Sequence, residues 1–316
     1  MAVAIALTLL LAPPNAPNPQ KHWDFPSSLY SLITLASLVL AIKSLANNWP
    51  VCAAAGVVFA CGALAFARRQ ARLSDPLLTF DIFRSRIFSG GALTAGGAMF
   101  CLAGLELLST QKLQLVDALS PLNAGLIISA MALSAIPTSI LGGATLHHVG
   151  FLPLISGGFL FMAAGMALVV WTGGTMLPLL VCGLVLTGLG AGLAMSVSST
   201  AIINAAPPHR AGMASGVEAV SYEFGTLISI ALTGSLVPLL MAGELPPHLS
   251  ELGTDALHHH SSHAAATSAY NAGYLFTIGG LSCFALLFAA ITAWCFRDNP
   301  KSGDPHAAHQ QKDRSP

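Results

Sequence analysis

Runs of about 20 apolar residues recur along this chain, and they constrain its fold more than any other feature. Each run is long enough to cross the ~30 Å hydrocarbon core of a bilayer as a helix. None of the runs alternates between apolar and polar residues in the way that strands of a membrane barrel do. Only helices and closed barrels satisfy every backbone hydrogen bond in lipid, so the pattern predicts an all-α polytopic membrane protein.

Eight spans are predicted, with each end placed to within a few residues. In chain order they cover residues 29–46, 49–67, 87–108, 122–143, 151–171, 176–199, 213–240 and 271–296. A further apolar stretch, residues 1–12, is too short to cross a bilayer. It fits a signal peptide without a basic start, or the last turns of a preceding span, and we favour the second interpretation.

Lysine and arginine are unevenly distributed between the two sides of the predicted topology. If the spans alternate in direction, eleven of the thirteen basic residues fall on one side, and only Lys43 and Lys112 lie near the other. Basic loops remain cytoplasmic, so we expect a multi-pass protein of the cell (inner) membrane with both termini in the cytoplasm. The eleven residues are Lys21, Arg68, Arg69, Arg72, Arg84, Arg86, Arg210, Arg297, Lys301, Lys312 and Arg314.

The remaining composition gives no indication of an enzyme or a cofactor. The formal net charge is zero, which does not suggest nucleic acid as a partner, and the lipid bilayer is the expected surroundings. None of the six cysteines has metal-ligand spacing. The loop of residues 244–270 contains a histidine cluster from His258 to His263, which leaves metal binding open there, although a solvated loop is the simpler interpretation.

Three acidic residues interrupt the apolar runs, although only 8% of the chain is charged. Glu218 and Glu223 lie in the seventh span with Tyr222 between them, and Glu106 lies in the third. A carboxylate at membrane depth costs several kcal/mol unless it is paired, hydrated or protonated. These residues therefore predict a site that handles protons or cations.

The three acids differ in expected position. Glu218 and Tyr222 are four residues apart and share a helix face, so a hydrogen bond between them is available. Glu223 is about 140° around the helix from Glu218 and, at about 18 Å from the helix start, is closest to the midplane. It is the better candidate for the substrate or proton site. Glu218 fits a helix-end role equally well, and Glu106 fits an interfacial acid in contact with water.

Three segments carry a family resemblance. They read DPLLTFDIFRSRIF at 75–88, QKLQLVDALSPLNAGL at 111–126 and PPHRAGMASG at 207–216, the last followed by YEFG at 222–225. Together they resemble the carboxyl-terminal portion of 14-span drug:proton antiporters of the major facilitator superfamily. Exporters of methyl viologen and quaternary ammonium compounds are the most similar members.

This resemblance implies a domain organisation. Spans three to eight, 87–296, would form the carboxyl-terminal six-helix transporter bundle, and 29–67 would hold two extra linker helices. The basic loop 68–86 would join them on the cytoplasmic side. Residues 1–28 would be the stump of a preceding span with its loop, and 297–316 a disordered tail. The first half-bundle would be a missing partner, so the chain resembles a fragment, a truncated frame or a split-gene product.

The resemblance also implies a function and gating residues. The third, fourth, sixth and seventh spans would border a central cavity, and all three acids lie on these spans. The implied function is export of lipophilic or quaternary cationic drugs, driven by the proton gradient without a cofactor. Gating roles would fall to Arg210 and Gly212 in the third motif. Gly188 and Gly192 belong to a glycine-rich helix surface that permits close packing and sliding.

Overall fold

The computed structural model describes residues 24–44, 48–73, 80–174, 176–207, 210–245 and 263–296. Within these residues eight helices are long and apolar enough to cross a membrane, which confirms the predicted all-α fold. A short 3-10 helix, Phe80–Arg84, precedes the third long helix. The long helices are α1 Phe25–Ser44, α2 Trp49–Gln70, α3 Arg86–Leu115, α4 Pro121–Val149, α5 Phe151–Trp171, α6 Leu177–Ala205, α7 Ala211–Glu244 and α8 His263–Phe296.

Most helices extend beyond the predicted spans, because polar residues at their ends continue the helix without adding hydropathy. The largest difference is at α8, which begins at His263 rather than at residue 271. The assignment of residues 263–270 to a loop is therefore wrong. These residues include four alanines, which favour helix, but their low hydropathy hid the extension. The segments 1–12 and 297–316 and the histidines His258–His260 lie outside the described residues.

Contacts divide the chain into two units, of which the first contains α1 up to Ala41 and α2 from Pro50. In this unit the Arg69 guanidinium donates two hydrogen bonds to the Asp24 carboxylate, at 2.7 and 3.1 Å. These bonds, with a further one from the Ser27 hydroxyl, lower the pKa of Asp24 to about 2. A depressed pKa means that the stabilisation by this pair is fully present above the ordinary aspartate value of 3.8 and is lost progressively as pH falls from there through about 2.

The second unit contains the 3-10 helix and helices α3–α8. Helix α6 packs against α3, α4 and α5, while α8 packs against α3, α5 and α7. Glycines permit the closest of these approaches. A Cβ added at Gly165 of α5 would lie 2.5 Å from the Gly183 carbonyl oxygen of α6, and one at Gly190 would lie 2.3 Å from the Gly158 oxygen. The two helices therefore touch backbone to backbone.

A second glycine face of α6 contacts α4. A Cβ at Gly188 would lie 2.1 Å from the Met131 carbonyl oxygen, and one at Gly192 would lie 2.3 Å from that of Ala135. The Ser134 hydroxyl donates to the Val185 carbonyl oxygen at 3.1 Å across the same contact. Small residues thus allow an interhelical hydrogen bond that larger side chains would prevent.

Helices α3 and α7 form a third close contact. A Cβ at Gly225 would lie 2.1 Å from the Gly96 carbonyl oxygen. One turn further along α7, the Ser229 hydroxyl donates to the Phe100 carbonyl oxygen at 2.6 Å. These residues fix which side of α7 faces the bundle.

The second unit has two ends, which the alternating directions of its six long helices define. At the near end α3, α5 and α7 begin, and α4, α6 and α8 finish. Here Phe151 stacks on Phe296 with ring centroids 5.9 Å apart, and Arg86 lies over the Trp294 ring at 5.6 Å. At the far end α3, α5 and α7 finish, and α4, α6 and α8 begin.

Candidate functional site on helix α7

Helix α7 has a side packed on α3 and an opposite, exposed side. Gly225 and Ser229 are buried, whereas Glu223 is exposed. Glu223 precedes Gly225 by two residues, and each residue turns the helix by about 100°. The two positions are therefore about 160° apart around the helix, and the Glu223 side chain points away from α3. The close contact between Gly225 and Gly96 therefore determines the direction of Glu223.

Glu218 has a different environment from Glu223. The Tyr222 hydroxyl donates a hydrogen bond to Glu218 Oε1 at 3.0 Å, as the four-residue spacing predicted. Both side chains are half-buried. Tyr222 packs against a small apolar cluster at the near end of the unit. The buried members of this cluster are Ile82, Phe88, Ala95, Ile202 and Ala214. Glu218 is thus held by a neighbour on its own helix.

The three predicted acids are not brought together. Glu106 lies on the exposed side of α3, toward the far end, while Glu218 and Glu223 lie in the first half of α7. Within the described ranges, none of the three forms an ion pair with lysine or arginine. Each acid must therefore be considered as a separate site.

The exposed side of α7 is the feature that bears most directly on Glu223. Of the six helices of the second unit, α4 and α7 are the least buried by the others. A Cβ added at Gly212 or Gly216 of α7 would meet nothing within 4 Å. A carboxylate facing lipid at this depth would be strongly unfavourable. The side of α7 that carries Glu223 therefore requires water or a further protein surface.

The aromatic ring of Phe100 on α3 packs against other aromatic rings inside the bundle. Its ring centroid lies 4.2 Å from that of Phe284, which in turn stacks on Phe288 at 4.4 Å. A cavity of about 440 Å³ beside α7 and α8 includes Phe100, Thr233 and Phe284 in its walls, but none of the three acids. Phe100 thus acts as a packing residue here, and the candidate acids lie elsewhere.

Arg210 links two of the recognised motifs. Its Nη1 lies 3.2 Å from Asp81 Oδ2, which connects the start of α7 to the 3-10 helix. The side chains are 35% and 60% exposed, so water screens the pair. Gly212, two residues later, is exposed, whereas Gly188 and Gly192 are enclosed against α4.

The Arg210–Asp81 pair should therefore contribute only about 0–1 kcal/mol to stability. A double-mutant cycle of Arg210→Ala and Asp81→Ala, followed by unfolding in detergent, measures this pairwise contribution apart from any other contact of either residue. A pairwise contribution well above about 1 kcal/mol would contradict a screened pair.

Sequence reasoning missed a charged contact that involves a buried lysine. Lys112 Nζ donates to both carboxylate oxygens of Asp117, at 2.9 and 3.2 Å, and the Lys112 side chain is only 2% exposed. The pair spans the end of α3, where helical periodicity no longer predicts which side chains meet. Its apolar surroundings come from distant helices, which a local pattern cannot reveal.

The described residues provide no metal site. Among them, no group of three or more histidine, cysteine, aspartate or glutamate side chains could hold an ion. All six cysteines are free thiols. The candidate functional groups among the described residues are therefore the single carboxylates Glu106, Glu218 and Glu223 on helix surfaces.

Comparisons with known proteins identify the relatives of this chain. Residues 85–237 match the family described as "Sugar (and other) transporter". The multidrug efflux pump LfrA of Mycolicibacterium smegmatis is 30% identical over 249 residues, which cover 75% of this chain and 48% of LfrA. The methyl viologen resistance protein SmvA of Salmonella typhimurium is 28% identical over 239 residues, 74% of this chain and 48% of SmvA.

Two further comparisons agree. The multidrug resistance protein Stp of Mycobacterium tuberculosis is 26% identical over 262 residues, 82% of this chain and 49% of Stp. A crystal structure of a bacterial homolog of the human lysosomal transporter Spinster, inward-facing and unoccupied, has the same fold. Its TM-score is 0.51 at 18% identity, over 88% of this chain and 66% of that one.

These findings confirm the predicted resemblance to multidrug exporters of the major facilitator superfamily. The relatives are transporters and not enzymes, as the sequence predicted. The chain spans about half the length of the curated relatives named here.

Proposed function

We propose that this chain, a multi-pass relative of multidrug resistance transporters of the major facilitator superfamily, forms the carboxyl-terminal half of a proton-coupled drug exporter. The proposed substrates are lipophilic and quaternary cations, and the proposed location is the inner membrane with both termini in the cytoplasm. The relatives named for multidrug efflux and for methyl viologen resistance support the substrate class. The uneven distribution of basic residues supports the orientation.

The observation that carries the proposal is the position of Glu223. It is a carboxylate on the side of α7 that the rest of the bundle leaves uncovered, near the middle of a membrane-spanning helix. In a two-bundle transporter the substrate site lies near the midplane between the bundles. We propose that the uncovered side of α7 borders that cavity and that a second bundle supplies the opposite wall.

Proton coupling follows from competition for one carboxylate. When Glu223 is ionised, it attracts a bound cation, and when it is protonated, it has no charge to offer. A proton that arrives from outside would therefore release the drug, and loss of that proton to the cytoplasm would restore the site. The two ligands are linked reciprocally because each weakens the binding of the other.

Glu218 and Glu106 have secondary roles in this proposal. Glu218, held by Tyr222, is positioned to tune the cytoplasmic side of the cavity. Glu106 is exposed toward the far end of α3, where a cation could leave. Arg210 and Gly212 at the start of α7, and Gly188 and Gly192 on α6, are proposed to support the movement of the helices.

Alternating access requires one bundle to move against another around a shared site. We therefore propose an amino-terminal six-helix half-bundle as the partner. The alternative is a truncated or split-gene chain without autonomous transport. Transport activity when an amino-terminal half-bundle is supplied would support the first possibility. Inactivity under all conditions would support the second.

A resistance assay tests the proposal. Three strains of a drug-sensitive bacterium are compared. The first expresses this chain alone, the second expresses the amino-terminal half of SmvA alone, and the third expresses both. Resistance to methyl viologen or a quaternary ammonium compound is expected with both halves, and not with either half alone. Co-purification shows whether the halves assemble. An assembled pair that confers no resistance to any cationic compound would contradict the proposal.

A further inference from the structure

The far end of the second unit contains a buried lysine. Lys112, in the last turn of α3, has a side chain that is only 2% exposed, and it is among the largest fully buried side chains described. A buried ammonium group is strongly unfavourable unless it is paired and hydrogen-bonded. Its surroundings must therefore supply a counter-charge.

Asp117 supplies that charge from the turn between α3 and α4. Lys112 Nζ lies 2.9 Å from one carboxylate oxygen and 3.2 Å from the other. The two partners differ in exposure, because the Asp117 side chain is 38% exposed. Water can solvate Asp117 if the pair is broken, but it cannot reach Lys112. The pair is therefore asymmetric.

Two more segments close around Lys112. Its Nζ lies 5.9 Å from the centroid of the buried Tyr274 ring of α8, at a distance that suits a cation–π contact. The Tyr274 hydroxyl lies 3.4 Å from Ser109 Oγ of α3. Gly174, in the turn between α5 and α6, has φ 62°, and a Cβ there would lie 3.1 Å from Tyr274 Cε1 and 3.4 Å from Lys112 Cε. Four segments thus meet at one ammonium group.

The turn that carries Asp117 has an uncommon backbone. Ala118 has φ 51°, in the left-handed region that residues with a Cβ adopt rarely. The Leu119 amide donates to the Leu113 carbonyl oxygen at 2.9 Å, and the Asp117 amide donates to that of Lys112 at 3.1 Å. A conformation of this kind persists only where its surroundings hold it.

We propose that Lys112, Asp117 and Tyr274 form an electrostatic lock at the far end of the six-helix unit. The lock fixes the rotation of α3 about its own axis and the path of the turn that follows. It holds α3, α8 and the turns next to them together as one body. Because α3 cannot rotate, Glu106 is kept on the exposed side of the helix.

The near end has a different kind of connection. Asp81 is exposed and the Arg210 side chain is 35% exposed, so water screens their pair and breaking it strands no fully buried charge. Breaking the Lys112 pair does strand a buried charge. The two ends therefore differ in what a broken ion pair leaves behind: hydrated charges at the near end and a buried ammonium group at the far end.

Exchange of backbone amides in residues 113–120 tests the lock on the full chain in detergent or nanodiscs, by hydrogen–deuterium exchange mass spectrometry. Asp117→Asn leaves Lys112 buried without a counter-charge and should accelerate exchange about tenfold or more. Lys112→Met leaves only a partly hydrated Asp117 and should have a clearly smaller effect. The double variant should return exchange to the level of Lys112→Met, because the stranded charge is gone.

Asp81→Asn is the matched control, since it removes a carboxylate from the exposed pair. It should leave the exchange of residues 113–120 unchanged. If Asp117→Asn does not fold, recovery of folded protein on adding Lys112→Met supports the lock. Equal effects of the two single variants, or a double variant as fast as or faster than Asp117→Asn, would overturn it. These outcomes do not depend on transport, so they remain informative if the proposed function fails.

Discussion

Replacing Gly225 with leucine is expected to separate α7 from α3 and to leave little folded protein. A Cβ at this position would lie 2.1 Å from the Gly96 carbonyl oxygen, and backbone cannot move aside as a flexible side chain can. The same displacement would pull Ser229 from the Phe100 carbonyl oxygen, to which it donates at 2.6 Å. Gly225→Ala should cost about 1–3 kcal/mol, in the range for an overpacked core, and leucine should cost more.

Reversible unfolding in mixed micelles measures this difference. Gly279→Ala on α8 is the matched control, because a Cβ there meets nothing within 4 Å. That change should leave stability unaltered or increase it by up to about 1 kcal/mol, since alanine favours helix over glycine. If Gly225→Ala were as stable as the parent, the close contact of α3 and α7 would be wrong. The direction assigned to Glu223 would then lose its basis.

Replacing Glu223 with glutamine in the assembled two-half transporter is expected to abolish most drug resistance. Glutamine keeps the shape of the side chain but can neither attract a cation by charge nor accept a proton. An interaction that couples two ligands is typically worth about 5–150-fold, so the inhibitory concentration should fall about tenfold or more toward that of cells without the protein. Glu218→Gln should have a smaller effect, because Tyr222 remains as a hydrogen-bond partner.

Glu244→Gln is the matched control for this series. Glu244 is an exposed carboxylate at the last residue of the same helix, far along it from Glu223. Its replacement should leave resistance near the parent level. Surface expression of each variant must be equal for the comparison to hold. Parent-level resistance in Glu223→Gln would exclude Glu223 as the essential acid.

The number and order of the helices could be predicted from the sequence, because a bilayer imposes a length and an apolar composition on every span. The hydrogen bond between Tyr222 and Glu218 could also be predicted, since helix periodicity alone sets it. These are local properties. The start of α8 was misplaced because His263 and the residues after it are helical without being strongly apolar.

The contacts between helices could not be predicted in the same way. The sequence does not state which glycine meets which, such as Gly188 with Met131 or Gly225 with Gly96. The exposed side of α7 follows only from such contacts. Lys112 is the clearest case: its burial depends on Tyr274 and Gly174, which lie far away in the sequence. The burial of Lys112, on which the proposed lock depends, therefore comes from long-range packing and not from a local sequence pattern.

In the proposed mechanism, a cationic drug displaces a proton from Glu223. Drug-induced proton release from the purified, assembled two-half transporter in weakly buffered solution tests this step. The parent protein is expected to release protons when a quaternary ammonium compound is added, and Glu223→Gln is expected to release fewer or none. Proton release from Glu223→Gln equal to that from the parent protein would contradict the claim.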